Sequence, residues 1–502
     1  MMLINGGIPL KWLVVVLASA ISSCGGCSGM SLEGDATTTD SPADYPPDTH
    51  VPDTGVDTPH ESVPDPVIDS IEDTAYDTVE LPPGHYWART YGTNDGLEQA
   101  MGVFEKEDRG LVVAGSLHDS DLHYPGMFAL MELDQDGNIV RQTAIPELRF
   151  VTSLAATADG GFAGAGGSSV ARLDSEWGVE WSMHYLGTLS GSLYGIRQTS
   201  DGGFIVVGET PGGALLLPQD VWVMRLDPDG GILWQYRYGG SDGERGMDID
   251  EADDGGFVAV GILEARSDDH DALVLKLDPA GGLEWAVRYG GEGFDDALEV
   301  HVAADGGIVV AGQKMESSAT PLRFWVLRLD TEGEVEWQKA IDGTFYDLLN
   351  DAQMTEDGGC VLAGITRAGS PPYPRYDAWI VKLDAAGEIA WQRSYGGSGD
   401  MDESSAALAV GQAADGSFLI SGMTRAFGLE SMDWWVLRTD ARGVISESCP
   451  PTVGAATGAT SFSTSASRSA EGYPPSETSF EAEPAPATSS TTYATSATQC
   501  AR

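Results

Sequence analysis

A chain of 502 residues can hold two or three ordinary domains or one large repeat domain with extended ends, and 64 Gly and 26 Pro among 42% apolar residues favour the second. That apolar share supplies a sizeable core and excludes disorder throughout. A formal charge of -50 at pH 7 repels nucleic acid and anionic headgroups, which excludes a nucleic-acid role and leaves cations or cationic partners.

At the amino end Lys11 precedes the apolar run "WLVVVLASAI", too short to cross a bilayer as a helix but suited to an export signal over residues 1–23. The run ends in "ISSC", residues 21–24. This resembles the lipobox of bacterial lipoproteins, in which an aliphatic residue and two small ones precede the cysteine that receives lipid. The resemblance implies lipidation at Cys24 and a membrane tether without a spanning helix. With Gly25 next, it further implies the outer membrane or cell surface. An ordinary secretory signal with chance cysteines is the alternative. Residues 24–84 follow, rich in Asp, Pro and Thr without an apolar period, and read as a disordered spacer.

From residue 85 the chain changes character. Asp-Gly-Gly or a close variant begins at Asp108, Asp159, Asp201, Asp254, Asp305, Asp357 and Asp415, at steps of 51, 42, 53, 51, 52 and 58 residues. Each is preceded by one β-prone run and followed by two more, the second ending in Leu-Asp or a variant, and a run carrying Trp181, Trp234, Trp285, Trp337 or Trp391 usually closes the unit. Four short runs per unit, separated by Gly and Asp turns, predict an all-β, seven-bladed β-propeller of four-stranded antiparallel blades over 85–448. The run after Asp-Gly-Gly is apolar at consecutive positions, as in a strand covered on both faces. In "FWVLRLD", Trp325, Leu327 and Leu329 share one face and Arg328 takes the other, which places that strand nearer the rim. "HYWARTYG" at 85–92 is an extra Trp-type strand, expected to pair beside "DWWVLRTD" at 433–440 and fasten the two ends; "GVISES" at 443–448 is its competitor. The second copy has only 15 residues from Asp159 to Asp174, which predicts a very short loop between its second and third strands.

The combination of Trp, Tyr-Gly-Gly, an acidic pair, Asp-Gly-Gly and Leu-Asp-x-x-Gly, as in "WQRSYGGSGDMDESSAALAVGQAADGSFLISG" from Trp391, resembles the propeller repeats of secreted bacterial lipoproteins and surface proteins. The resemblance implies the fold and leaves the activity open. The Leu-Asp-x-x-Gly…Trp pattern is also similar to quinoprotein propellers and to the outer-membrane assembly lipoprotein of that fold, but the adjacent cysteine pair of many quinoprotein dehydrogenases is absent. "DGGILW" at 229–234 faintly resembles the aspartate box of sialidases, although the neighbouring copies do not keep it.

Tyr238-Gly239-Gly240, Tyr289-Gly290-Gly291 and Tyr395-Gly396-Gly397 fall where the chain crosses from one blade to the next, so the glycines are expected to supply positive φ and close backbone approach. With neither a following helix nor a Lys-Ser/Thr pair, they do not form a phosphate loop. The acids that follow, Glu98, Glu244, Asp295, Asp296, Asp347 and Asp402, are expected to gather round one mouth of the channel. There they either accept backbone N–H groups of an adjacent blade or hold a hard cation such as calcium. His118, Asp119, Asp121 and His123 share a loop that could ligate a metal but reads better as solvent-exposed. Cys360 sits in a buried run, while Cys449 and Cys500 bracket a Ser/Thr/Ala-rich tail, 449–502, expected to be disordered, and could pair as a disulfide after export. The functional expectation is a monomeric, non-catalytic binding or scaffold module of the cell envelope, taking a protein or glycan ligand on its longer loops. The alternative is a carbohydrate hydrolase or lyase, which needs a convergent acid, base and arginine.

Overall fold

The computed structural model describes residues 86–92, 98–117, 127–149, 151–186, 191–210, 219–266, 269–317, 320–343, 346–368, 375–396, 404–426 and 432–445, and five short strands between 460 and 498. The chain divides between Val79 and Glu80, and every described residue belongs to the second unit. Residues 1–85 with Cys24, the loop from His118 to His123, Asp402, Cys449 and Cys500 lie outside the described residues. Among the described residues all regular structure is β-strand, and no helix is long and apolar enough to cross a membrane.

β1 (Trp87–Gly92) stands alone ahead of the first repeat. Antiparallel four-stranded units then follow in chain order. β2 (Gln99–Glu105), β3 (Leu111–Leu117), β4 (Met127–Leu133) and β5 (Ile139–Arg149) make the first. β6 (Ser153–Ala156), β7 (Phe162–Gly166), β8 (Ser169–Leu173) and β9 (Val179–Leu186) make the next. After them come β10 (Ser192–Gln198), β11 (Phe204–Glu209), β12 (Val221–Leu226) and β13 (Ile232–Tyr238), then β14 (Gly243–Glu251), β15 (Phe257–Arg266), β16 (Asp269–Leu277) and β17 (Leu283–Gly290). β18 (Phe294–Val302), β19 (Ile308–Met315), β20 (Arg323–Leu329) and β21 (Val335–Asp342) join the preceding unit through one parallel pair, His270 with Phe294. β22 (Asp347–Met354), β23 (Cys360–Ala368), β24 (Arg375–Leu383) and β25 (Ile389–Tyr395) follow. β26 (Ser405–Gln412), β27 (Phe418–Thr424) and β28 (Asp433–Thr439) open the last unit, and β1 completes it, Trp87 opposite Arg438 through Tyr91 opposite Trp434. The amino-terminal strand thus takes the place the sequence assigned to it.

The packing explains the run after each Asp-Gly-Gly. In β11, Ile205 and Val207 pack with β15 and β16, while Phe204 and Val206 pack with β8 and β9. One strand so serves two cores, and each fully buried side chain of this size contributes about 1.5–3 kcal/mol. The result is a propeller-like all-β fold with sheets stacked face to face.

The turn residues are consumed by the scaffold. Asp201, Asp254, Asp305 and Asp357 each accept the amide of the second following glycine, and the first glycine takes positive φ, from 75° at Gly255 to 85° at Gly202. The same aspartates bind the cation of the third strand: Asp201 to Arg225, Asp254 to Lys276, Asp305 to Arg328 and Asp357 to Lys382. Arg328 lies on the face away from Trp325 as expected, but buried in this ion pair. Asp227, Asp278 and Asp330 close the second hairpin, each accepting two backbone amides.

The outer-strand tryptophan and tyrosine clasp one unit to the next. Tyr185, Tyr238, Tyr289 and Tyr395 donate to the carbonyls of Gly230, Gly281, Gly333 and Gly443 at 2.8, 2.6, 2.5 and 2.7 Å. Trp181, Trp234 and Trp391 donate beside them to Pro228, Pro279 and Ala441. β1 repeats the clasp from the last unit onto the first, Tyr91 to Gly137 at 2.7 Å and Trp87 to Gln135 at 2.9 Å. One junction inverts it. Arg141 replaces the tryptophan and Trp177, at φ 69°, replaces the turn glycine, with the Arg141 guanidinium 3.8 Å from the Trp177 ring centroid.

Two expectations are corrected. The crossing glycines Gly239, Gly240, Gly290, Gly291 and Gly396 are not among the positive-φ residues. Close approach explains the first of each pair, because a Cβ on Gly290 or Gly396 would overlap the Asp271 or Asp377 carboxylate. The C-terminal segment is not structureless throughout. β29 (Thr460–Phe462), β30 (Ser467–Ala470), β31 (Ser476–Glu477), β32 (Glu481–Pro484) and β33 (Thr495–Thr498) add to the outer strands β21, β17, β13, β9 and β1. Edge pairing needs only backbone, so a polar Ser/Thr sequence without an apolar period supplies it. The short connection in the second copy is confirmed, with only Gly167 and Ser168 between β7 and β8.

Candidate functional site

In an antiparallel four-stranded unit the two tight hairpins lie at one end, and the second-to-third connection and the exit to the next unit lie at the other. The described acids flagged by sequence, Glu98, Glu244, Asp295, Asp296 and Asp347, belong to the second, crossing end. Glu98, Glu244, Asp295 and Asp347 are fully buried. Three of them accept a local amide: those of Gly240, Gly291 and Gly343 donate to Glu244, Asp295 and Asp347 at 3.2, 2.7 and 2.8 Å. Those amides stand just past the outer strand of the preceding unit, so these carboxylates tie the crossing to the strand that follows it. Lys314 also donates to Asp295 at 2.5 Å, and the Thr366 hydroxyl to Asp347 at 2.6 Å. Burial raises the Asp295 pKa against the opposing Lys314. Among the described residues no group of three or more His, Cys, Asp or Glu side chains is placed to hold a metal ion.

Backbone amides of a neighbouring inner strand are accepted instead by residues the sequence did not single out. Asp248 accepts Val300 at 3.1 Å, Asp250 accepts Val302 at 2.9 Å and Asp351 accepts Val410 at 2.8 Å. Arg197 donates to Asp248 at 2.9 Å and lies 3.9 Å from Glu299. Burial opposes its charge, but Asp248, Glu299, Asp250 and Asp351 outweigh burial and raise its pKa. This set belongs to the joints between inner strands.

A different group gathers at the crossing end and takes no part in the repeating clasps. The Tyr194 hydroxyl, near the start of β10, donates to Glu209 at the end of β11 at 2.9 Å. Glu209 is 3.4 Å from Arg245 of β14, and Arg245 also pairs with Glu264 of β15. Glu264 stands opposite His270 in the β15–β16 ladder, and the His270 Nδ1 lies 3.3 Å from Asp296 of β18. The His270 ring meets Phe294 edge-on at 4.7 Å. Three consecutive inner strands therefore contribute to one polar network. Its environment separates an acid from a base: burial raises Glu209, with Arg245 and Tyr194 opposing, while at His270 burial is outweighed by the Asp296 hydrogen bond, which raises its pKa. Gln313 stands opposite Asp296 in the β18–β19 ladder, hence on the same face, and its fully buried Nε2 and Oε1 have no hydrogen-bond partner among the described residues.

Of the six acids flagged by sequence, Asp296 alone joins this network among those described. Tyr194, Glu209, Arg245, Glu264, His270 and Gln313 were missed. The available signal was departure from the repeat: Arg245 follows its buried acid where other copies carry Gln99, Asp296 or Leu348. Cys360 is buried, and burial pushes its thiol up to about 12, so it is inert.

No family model matches the chain, and no curated protein matches it. Solved structures with a similar strand arrangement include the WD40 domain of Neurospora crassa Pan2, at 11% identity and TM-score 0.38, covering 70% of this chain and 92% of that one. A Synechocystis apocarotenoid oxygenase is similar at 11% identity and TM-score 0.44, covering 78% and 97%. A protein of unknown function from Bacteroides caccae is similar at 14% identity and TM-score 0.38, covering 60% and 94%.

Proposed function

We propose that the units close as a seven-bladed β-propeller, exported and lipid-anchored through Cys24 at the outer membrane or cell surface, and that it is a non-catalytic binding module. The support for closure is the clasp of Trp87 and Tyr91 onto the first unit, joined by Arg109 to Asp415 at 2.6 Å and Arg438 to Glu105 at 2.8 Å. The binding site is the crossing-end network of Tyr194, Glu209, Arg245, Glu264, His270 and Asp296, and its ligand is a protein or glycan. One observation carries this reading. The repeat consumes its own conspicuous residues in turns and clasps, whereas this network spans three inner strands, has no scaffold duty shared with the other units, and adjoins the Gln313 carboxamide, which has no hydrogen-bond partner among the described residues.

A second reading, a carbohydrate hydrolase or lyase, is favoured by Glu209, an acid raised by burial beside a tyrosine hydroxyl and an arginine. A glycan array with the full chain, with and without calcium, tests both. A defined glycan that binds the wild type and binds Glu264→Gln at least about tenfold more weakly supports the site. Identical profiles for wild type and variant overturn it, and new reducing or unsaturated ends on the bound glycan establish the enzyme instead.

A further inference from the structure

The C-terminal strands lie on the rim in a fixed order. β29 adds to the unit begun by β18, β30 to that begun by β14, β31 to that begun by β10 and β32 to that begun by β6, each time one unit back along the chain. β33 then adds to β1, passing the unit of β2 to β5. The strands start at residues 460, 467, 476, 481 and 495. The single step of 14 residues, from 481 to 495, is the one that passes a unit, and it is twice the step of seven that begins the series. Seven extended residues reach at most about 25 Å, a distance suited to neighbouring sheet edges and not to a path across the molecule.

The pairing is antiparallel and in register throughout: Val287 to Gly290 oppose Ala470 to Ser467, and Ala340 to Asp342 oppose Phe462 to Thr460. At the far end Arg89 to Gly92 oppose Thr498 to Thr495. β1 comes to its sheet from the opposite end of the sequence, leads back into the spacer, and has β28 on one edge and β33 on the other. Peeling it off must break two backbone ladders. Outer strands left bare are templates for pairing with another chain.

We propose that β29 to β33 are the strands of a strap: in an order that runs against the direction of the chain they cover the outer edges of β21, β17, β13, β9 and β1 by strand addition, and lock the amino-terminal strand that joins the last unit to the first. The strap denies those edges to a second copy. The inference is independent of any ligand at the crossing end.

Hydrogen exchange on the full chain tests it directly. Amides in 467–470 and 495–498 exchange at least about tenfold more slowly than an unstructured segment. Exchange at the unstructured rate overturns the strap. The paired substitution Ser469→Pro with Ala470→Pro removes one ladder amide whichever of the two faces β17, since alternate residues bond inward. It is expected to abolish protection at 467–470 while leaving the units folded. Removing the chain beyond residue 455 is expected to lower the melting temperature by about 5 °C or more and to produce concentration-dependent self-association. A truncated protein that melts with the full chain and stays monomeric overturns the proposal.

Discussion

The two ends of the sheets use the same residue type to opposite effect. At the hairpin end Asp201, Asp254, Asp305 and Asp357 are about half or more open to water, receive backbone amides and face a third-strand cation, and their pKa values fall. The Gly307 amide and Arg328 lower Asp305; at Asp201 the Thr199 hydroxyl, the Gly203 amide and Arg225 overcome burial and bring it to about 2. At the crossing end burial dominates and raises Glu209, Asp220, Asp295 and Asp377, against Arg245, Arg237, Lys314 and Arg375. Hairpin carboxylates stabilise by being charged where water still helps them. Crossing carboxylates are tolerated in charge because a lysine, an arginine or an amide sits against them.

The largest test of that difference is to remove a cation at each end. Lys314→Met leaves Asp295, wholly buried, without its 2.5 Å partner and is expected to cost about 3–5 kcal/mol in denaturant unfolding. Lys276→Met leaves Asp254, which is 55% exposed, to solvent and is expected to cost about 1 kcal/mol or less. Equal losses at the two sites would break the comparison.

A smaller contrast lies inside one crossing. Gly290→Ala drives a Cβ into Asp271 and to within 2.9 Å of Asp295, and is expected to cost about 1–3 kcal/mol. Gly291→Ala meets nothing within 4 Å and is expected to stay within about 0.5 kcal/mol of wild type. Tyr289→Phe removes the hydroxyl donated at 2.5 Å to Gly333 while keeping the ring, and should cost about 1 kcal/mol. A neutral Gly290→Ala or a costly Gly291→Ala would show that close approach does not select the first glycine of the pair.

These cases also show what the sequence could reveal. Period and strand composition were enough to place the hairpins, the buried second strand and the amino-terminal strand beside β28, because each depends on local turn chemistry or a repeated apolar pattern. The role of Tyr289 was hidden: its partner, the Gly333 carbonyl, is 44 residues away in the next unit. Arg141 and Trp177 look like two lapses from the repeat until the fold brings them face to face. The network at Glu209 and Arg245 depends on which inner strands are neighbours at one end, and the rim strands depend on backbone edges, which leave no hydrophobic mark.

The smallest and broadest effect is in pH. A hairpin aspartate with a lowered folded pKa adds stability that is full above its unfolded value, near 4, and is lost as pH falls through the folded one. A crossing acid with a raised folded pKa does the reverse: its contribution is full below its unfolded value and is lost as pH rises through the folded one. His270, also raised, has the same sign. Stability should therefore rise as pH falls from about 8 to about 5, then drop below about 4 as the hairpin aspartates protonate. The large negative charge acts in the same direction on the neutral limb, so wild type alone does not separate the two causes. Asp377→Asn does: Asp377 is 4% exposed and 3.1 Å from Arg375, and the variant should flatten the neutral limb relative to wild type. Substituting an exposed carboxylate such as Asp136 changes net charge by the same amount and should leave that limb close to its wild-type slope. Equal flattening by both variants would assign the slope to overall repulsion and remove the distinction between the two ends.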